Sequence, residues 1–303
     1  MKYFKPILIF IIGFLVLLFS QSFQQMSLIN CLTQLVLFGL VVCWPIWKTG
    51  RLCYVDIGWP WGLVCIGIVT LIFGEGFDLR VYVVGAVYIF IGARMGLGAL
   101  QLWKKGYMKK EFPRYQYQRG RWERAGKTNV PLAMQVDALA QGLANASFLA
   151  MPAFIIALNP DPAISVFEIV GLILWVLAFL MESVADAQKL SFLRKMAAQG
   201  KKKQVCDVGL WKYTRHPNYF AEWMVWNALV IAAIPSWLAL QSEESLLIWI
   251  LLGLGLLFVS RIMYLSLVYL TGAVPSEYYS LKKRPGYEAY TKRVNMFFPG
   301  MPK

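Results

Sequence analysis

Charge is scarce in this chain. Only 15% of its 303 residues are Asp, Glu, Lys or Arg, against 58% hydrophobic, and the mean hydropathy is +0.55. Soluble domains carry about 25% charged and roughly 45–50% apolar residues, so the composition argues against a water-soluble globular enzyme. Histidine is nearly missing: His216 is the one copy. The five cysteines, Cys31, Cys43, Cys53, Cys65 and Cys206, form no C-x-x-C pair. Their odd number and their place in or beside apolar runs argue against a metal centre or a disulfide framework, and for free, mostly buried thiols. No G-x-G-x-x-G follows a strand pattern and no G-x-x-x-x-G-K-[ST] occurs, so neither a Rossmann nor a P-loop nucleotide site is available. Heptad and Gly-X-Y periods are also missing, as is any evident internal repeat, which sets aside coiled coils and collagen.

What the chain has instead is long apolar runs. Eight can be read, at approximately 4–20, 28–47, 54–73, 79–102, 136–158, 163–184, 219–240 and 245–270. Runs of this length are transmembrane candidates. They must be helical, because the backbone finds no water to bond in the bilayer. The expected fold is therefore all-α: a polytopic membrane helical bundle of about eight transmembrane helices. It forms one integral membrane domain over 1–303, with residues 1–47 peripheral and 50–300 as its core. The opening Met1-Lys2-Tyr3-Phe4-Lys5 is like the start of a signal peptide, but no small-x-small cleavage pattern follows in Ser20-Gln21-Ser22-Phe23. The first run is read as a retained span.

The charge that is present is lopsided, 30 Lys and Arg against 16 Asp and Glu. In a membrane protein this is first a statement about topology. Eight spans place 27 of the 30 basic residues on one face, chiefly in 103–131, 185–217 and 271–303. Of the other three, Arg80 alone lies in a connection on the opposite face; Arg94 and Arg261 lie within runs. Both termini and the basic segments are thus expected in the cytoplasm. The membrane is the bacterial inner membrane, or the endoplasmic reticulum in a eukaryote. No nucleic-acid or metal partner is expected; the partners are membrane lipids and a lipophilic small molecule. Residues 271–303 are too aromatic for a solvated tail and are expected to fold back onto the membrane face. The basic, aromatic 106–126 stretch suits the headgroup layer.

Ionisable residues inside a span are costly and usually face a cavity or a partner. Asp56, Arg94, Asp137, Glu182, Glu222 and Arg261 all fall toward the cytoplasmic ends of their runs, which favours a polar pocket opening on that side. Glu182 and Asp186 stand four residues apart, with Gln188 and Lys189 just beyond. Pro217 suits a first helical turn, so a helix should begin there and set Asn218 and Glu222 on one face. Arg215 and His216 precede them at the helix N-terminus, where anions are favoured. A single histidine is more often a hydrogen-bonding residue than a catalyst.

The block Arg215-His216-Pro217-Asn218-Tyr219-Phe220-Ala221-Glu222 resembles the C-terminal signature of the steroid 5-alpha-reductase superfamily. The chain resembles more closely the related domain-of-unknown-function family 1295. Asp56-Ile57-Gly58-Trp59, Arg94, Arg114-Tyr115, Glu182-x-x-x-Asp186-x-Gln188-Lys189, and Tyr287-x-x-Tyr290 before Phe297-Phe298-Pro299 agree in order, over roughly residues 50–300. The resemblance implies an NADPH pocket built by the C-terminal half and hydride transfer to a C=C bond conjugated to a ketone. Carried over, Asn218 and Glu222 would hold the nicotinamide end. Glu182 and Asp186, with Lys189, Arg194, Arg215 or His216, would meet the ribose and phosphates. Arg94 and the Tyr279–Lys283 stretch, chiefly Tyr279 and Lys282, would complete the cage, and Asp56 would stand at the catalytic position. There are departures: no Gln-Glu pair accompanies Asp56, no Tyr precedes Arg94 in Ile91-Gly92-Ala93, and Glu182 replaces an Asn. These weaken steroid chemistry more than cofactor binding.

The expected function is thus an NADPH-dependent membrane reductase of a lipophilic enone-type lipid. Two alternatives stay open. One is an S-adenosylmethionine-dependent enzyme like the isoprenylcysteine carboxyl methyltransferases, which also carry R-H-P-x-Y at the start of a late span. The other is a non-catalytic lipid- or sterol-binding membrane protein.

Overall fold

The computed structural model describes residues 3–303, and all regular elements among them are helical. Lys2, one of the expected cytoplasmic charges, lies outside the described residues. Seven helical segments among them are long and apolar enough to cross a membrane. The eighth run, helix α1 (Lys5–Phe19), has 15 residues. At 1.5 Å per residue it spans about 22 Å, short of the roughly 30 Å hydrocarbon layer. The chain is a multi-pass membrane protein dividing into two compact units, one comprising residues up to Ile169 together with Val230–Val259, the other Val170–Leu229 with Ser260–Lys303.

In the first unit, α2 (Gln24–Leu37) passes through a π-turn, Phe38–Cys43, into α3 (Trp44–Thr49). These helices, expected to be peripheral, bury Phe23, Phe38, Val42 and Ile46 in the core. Helix α4 (Val55–Phe73) lies against α5 (Asp78–Lys104). Glycine permits this close approach: a Cβ on Gly67 would sit 2.6 Å from the Gly85 carbonyl oxygen, and one on Gly92 would sit 2.5 Å from that of Pro60. Small residues at helix contacts are the usual membrane solution, since lipid supplies no hydrophobic drive. After α6 (Pro113–Arg124) comes α7 (Val130–Ala146), which begins six residues before its apolar run. Asn129 caps it by accepting the Leu132 N–H at 3.0 Å. The short α8 (Met151–Ala157) is buried along its whole length. Polar side chains in this core are tied to backbone. Gln34 donates to the Gly62 carbonyl at 2.9 Å, Asn145 to that of Trp59 at 3.0 Å, and the Tyr88 phenol to that of Leu149 at 2.7 Å. Arg80 is buried, with its guanidinium on Glu168 and the Asp161 and Ala163 carbonyls.

The second unit is built on α9 (Val166–Ala198), 33 residues and about 50 Å long, extending well past the expected end at 184. Its buried residues, Gly171, Ala178, Glu182 and Ala185, form one narrow stripe, while Val170, Ile173, Leu177 and Leu180 are exposed as lipid-facing residues should be. The last third of α9 carries Asp186, Lys189 and Arg194. Helix α10 (Pro217–Ala239) starts at Pro217 as its motif requires. Helix α11 (Leu246–Leu265) runs through a π-turn, Ser266–Leu270, and bends at Gly272 into α12 (Ala273–Lys283). A Cβ at Gly272 would fall on the Leu267 carbonyl, and a π-turn followed by glycine is a known cause of kinks. After α13 (Tyr287–Arg293), the tail returns to the segment before α10. Arg215 N–H donates to the Asn295 carbonyl at 2.9 Å, Gly300 N–H to that of Tyr213 at 3.0 Å, and the Thr214 hydroxyl to that of Phe297 at 2.9 Å. This is the fold-back that the aromatic tail implied. Phe220, Trp223, Tyr264 and Phe297 form its aromatic seam, with ring centroids 5.3–6.0 Å apart.

Candidate functional site

The end of α9 and the start of α10 are held together by the turn between them. Gly209 has φ +54°, a left-handed conformation that only glycine adopts cheaply, and a Cβ there would strike the Gln188 amide. Gln188 accepts the Leu210 N–H at 2.8 Å, and the Trp211 indole N–H donates to the Ala185 carbonyl at 2.9 Å. The chain therefore arrives at Pro217 with Arg215 and His216 directed inward, both less than a tenth exposed.

Arg215 is not free to reach for a phosphate. Its Nε donates to Glu277 Oε1 at 2.7 Å and Nη2 to Oε2 at 3.0 Å, a bidentate pair in which both side chains are 8% exposed. Nη1 donates to the carbonyls of Thr291 and Val294. Four of its five N–H groups are thus committed within the protein. His216 Nε2 lies 3.1 Å from the same Glu277 oxygen, and the imidazole stacks on Tyr219 with planes 2° apart. Burial pushes the imidazole below its ordinary pKa despite the carboxylate beside it. It is therefore neutral at pH 7, with Nε2–H donating to Glu277. Burial likewise raises the Tyr287 and Tyr290 phenols and the Cys206 thiol. The Tyr290 hydroxyl donates to the Trp211 carbonyl at 2.5 Å.

Over this floor lies a cleft of about 470 Å³, within the range of roughly 300–1,000 Å³ of small-molecule sites. It brings together five of the residues expected from sequence: Asp186, Lys189, Arg215, His216 and Asn218. Asn218 Nδ2 donates to Asp186 Oδ1 at 3.1 Å. Asn218 Oδ1 is buried with no hydrogen-bond partner among the described residues, an acceptor awaiting a donor. The Lys189 ammonium lies 3.8 Å from the Trp211 ring centroid. No acidic group among the described residues is within ion-pair distance of it. Ser280, within the expected Tyr279–Lys283 stretch, also lines the cleft, as do Ser276 and Arg284, which sequence reasoning missed.

The remaining expected residues stand outside the cleft lining. Glu182 is buried on the α9 stripe and Arg194 is exposed beyond it. Glu222 lies one turn deeper in α10 than Asn218, half-buried and with partners of its own. Tyr279 is half-buried, and exposed Lys282 bonds the Tyr278 hydroxyl at 2.6 Å. Arg94 and Asp56 belong to the first unit. Both Asp56 oxygens are occupied, one by the Arg114 guanidinium and the other by the Tyr115 phenol. Asp56 therefore ties α4 to α6.

The class that fold and cleft define is a polytopic helical membrane protein with a polar, cation-bearing pocket at the mouth of its C-terminal helices. The chain belongs to the family described as Protein of unknown function (DUF1295), whose model matches residues 45–294. No curated protein and no solved structure matches it.

Proposed function

We propose that this protein is a membrane-embedded, NADPH-dependent reductase that saturates a C=C bond of a lipophilic enone-type lipid. The observation that carries the reading is the buried, unpartnered Asn218 Oδ1 beside Lys189 and Arg284 in one cleft. A pyridine nucleotide offers what this donor set lacks: a carboxamide N–H for Asn218 and phosphates for two cations. Bound NADPH would supply hydride to the β-carbon of the enone, a proton would reach the α-carbon, and NADP+ would leave.

The chain's own residues would position these groups. Asp186 fixes the Asn218 amide so that its oxygen faces the ligand. Lys189 and Arg284 hold phosphate oxygens, helped by the Ser276 and Ser280 hydroxyls. The Arg215–Glu277–His216 cluster gives this arrangement a rigid floor. With the basic face cytoplasmic, the cleft opens toward the cytosolic cofactor pool.

The test is thermal stabilisation of the detergent-solubilised protein by NADPH, NADH and S-adenosylmethionine in parallel, since a ligand that binds only the folded state raises the melting temperature. Stabilisation by NADPH, reduced in Asn218→Ala by a loss of ~1.5–3 kcal/mol in affinity, is expected. Stabilisation by S-adenosylmethionine alone would transfer the cleft to a methyl donor. Stabilisation by none of the three would leave a lipid-binding protein.

A further inference from the structure

The first unit displays a further set of uncompensated cations, none of them among the cleft's lining residues. Helix α5 ends in Leu102-Trp103-Lys104-Lys105 and turns through Gly106, φ +76°, into Tyr107-Met108-Lys109-Lys110. The turn is held rigidly. Met108 is 2% exposed in the core, its carbonyl accepts from the Cys53 thiol, and the Lys109 carbonyl accepts from Arg51 Nη1 at 3.1 Å. With Met108 fixed inside, the neighbouring side chains point outward. Lys104, Lys105, Lys109 and Lys110 are exposed, with Trp103 52% and Tyr107 61% exposed among them. None of the four lysines has an ion-pair partner among the described residues. The nearby carboxylate, Glu111, is already taken by the Leu52 N–H at 2.6 Å and by Arg119 at 3.6 Å.

We infer that this turn is a binding site for the headgroup of an anionic phospholipid. Phosphate oxygens are the acceptors that four clustered ammonium groups need. The flanking Trp and Tyr identify the depth at which they would be met. Indole and phenol rings exposed at the end of a spanning helix belong in the headgroup layer, and α5, about 40 Å long, exceeds the hydrocarbon thickness enough to carry its end there. Basic residues held at an anionic leaflet bind it additively. A rigid turn fixes their spacing, which turns general attraction into a site for one or two headgroups. This inference does not depend on what occupies the cleft.

The experiment uses the full chain, reconstituted in bilayers of phosphatidylcholine with phosphatidylglycerol, released, and examined by native mass spectrometry for retained lipid. The parent should retain phosphatidylglycerol in preference to phosphatidylcholine. Replacing Lys104, Lys105, Lys109 and Lys110 by Gln should reduce that preference by at least tenfold. Lys109→Gln with Lys110→Gln should give an intermediate loss, and carries the test if the fourfold variant does not fold. Lys201, Lys202 and Lys203→Gln, which remove charge elsewhere, should change nothing. Undiminished preference in the double variant, or an equal loss in the 201–203 control, would overturn the site. Release of the lipid by millimolar inorganic phosphate would overturn its assignment to a lipid headgroup.

Discussion

Removing Arg215 separates two readings of the same residue. Sequence spacing makes it a phosphate ligand at a helix N-terminus. The structure makes it the buried partner of Glu277, joined by two hydrogen bonds, with two more to the carbonyls of Thr291 and Val294. In Arg215→Met, the Glu277 carboxylate, 8% exposed in the parent, would keep only His216 as a side-chain donor. Removing one partner of a buried ion pair costs about 3–5 kcal/mol. An unfolding entropy of about 2.1 cal/mol/K per residue gives a 303-residue chain roughly 1.6 °C per kcal/mol, so the melting temperature should fall by about 5–8 °C. Adding Glu277→Leu removes the stranded charge, and well-packed apolar replacements of buried pairs are often neutral or better. Recovery will be partial, because the Thr291 and Val294 carbonyls still lack their donor, at about 1–3 kcal/mol each if they stay dry.

The assay is a double-mutant cycle on melting temperature in detergent, with NADPH affinity measured on the same preparations. The expected pattern is a large loss in each single variant, a smaller one in the double, and NADPH affinity per folded molecule reduced only modestly. An Arg215→Met protein that melts like the parent yet has lost NADPH binding would refute the structural assignment and restore the phosphate-ligand reading.

Lys189→Met and Arg284→Met should each weaken NADPH more than NADH in titrations at fixed salt, because neither cation is held in an ion pair that would compete with a 2′-phosphate; equal losses for both cofactors would count against the pair. Cysteines placed at Lys110, Lys202 and Lys303 should all react from the same side of sealed vesicles, and labelling of Lys110 from the side opposite to the other two would end the orientation read from charge. Because burial holds His216 below its ordinary value of 6.5, unfolding takes up a proton below about pH 6.5. The melting temperature should therefore be flat above that pH and fall as pH drops from 6.5 toward the folded value; a fall of the same size in His216→Gln would remove His216 as its cause.

The helices were legible because the bilayer imposes their length, and all eight apolar runs lie on helices. Their ends were less so, because hydropathy tracks lipid contact and not the hydrogen-bond ladder. Helix α9 does not stop where its apolar run stops: residues 185–198 include Ala, Gln, Lys, Leu and Arg, good helix formers all, so the ladder continues into water. Helix α7 begins earlier than expected. Asn129 and Pro131 give a readable start signal, and the residues from Val130 to Met134 are apolar, so the segment from Val130 to Ala157 is apolar enough to span. Residues 1–47 seemed peripheral because the resemblance begins only near residue 50. Phe23 and Val42, fully buried, show that part of that segment is core.

In the cleft, local spacing found the residues within one turn of the α9 and α10 ends, and failed beyond that distance. Asn218 and Glu222 do share a side of α10, but a four-residue step also moves about 6 Å along the axis, which is enough to leave Glu222 out of the lining. Glu277 and Arg284 lie about 60 residues from the motif they serve, so nothing near Arg215 announced its partner. The error that followed is instructive. Charge in a sequence marks candidates for ligand contact, yet only charge still uncompensated after folding is available for it. Arg215 is the more conspicuous cation and is consumed by Glu277. Lys189, its ammonium over the Trp211 ring and outside ion-pair distance of any described carboxylate, and Asn218, with an acceptor left over, are the less conspicuous groups. They are the ones the fold leaves for a ligand.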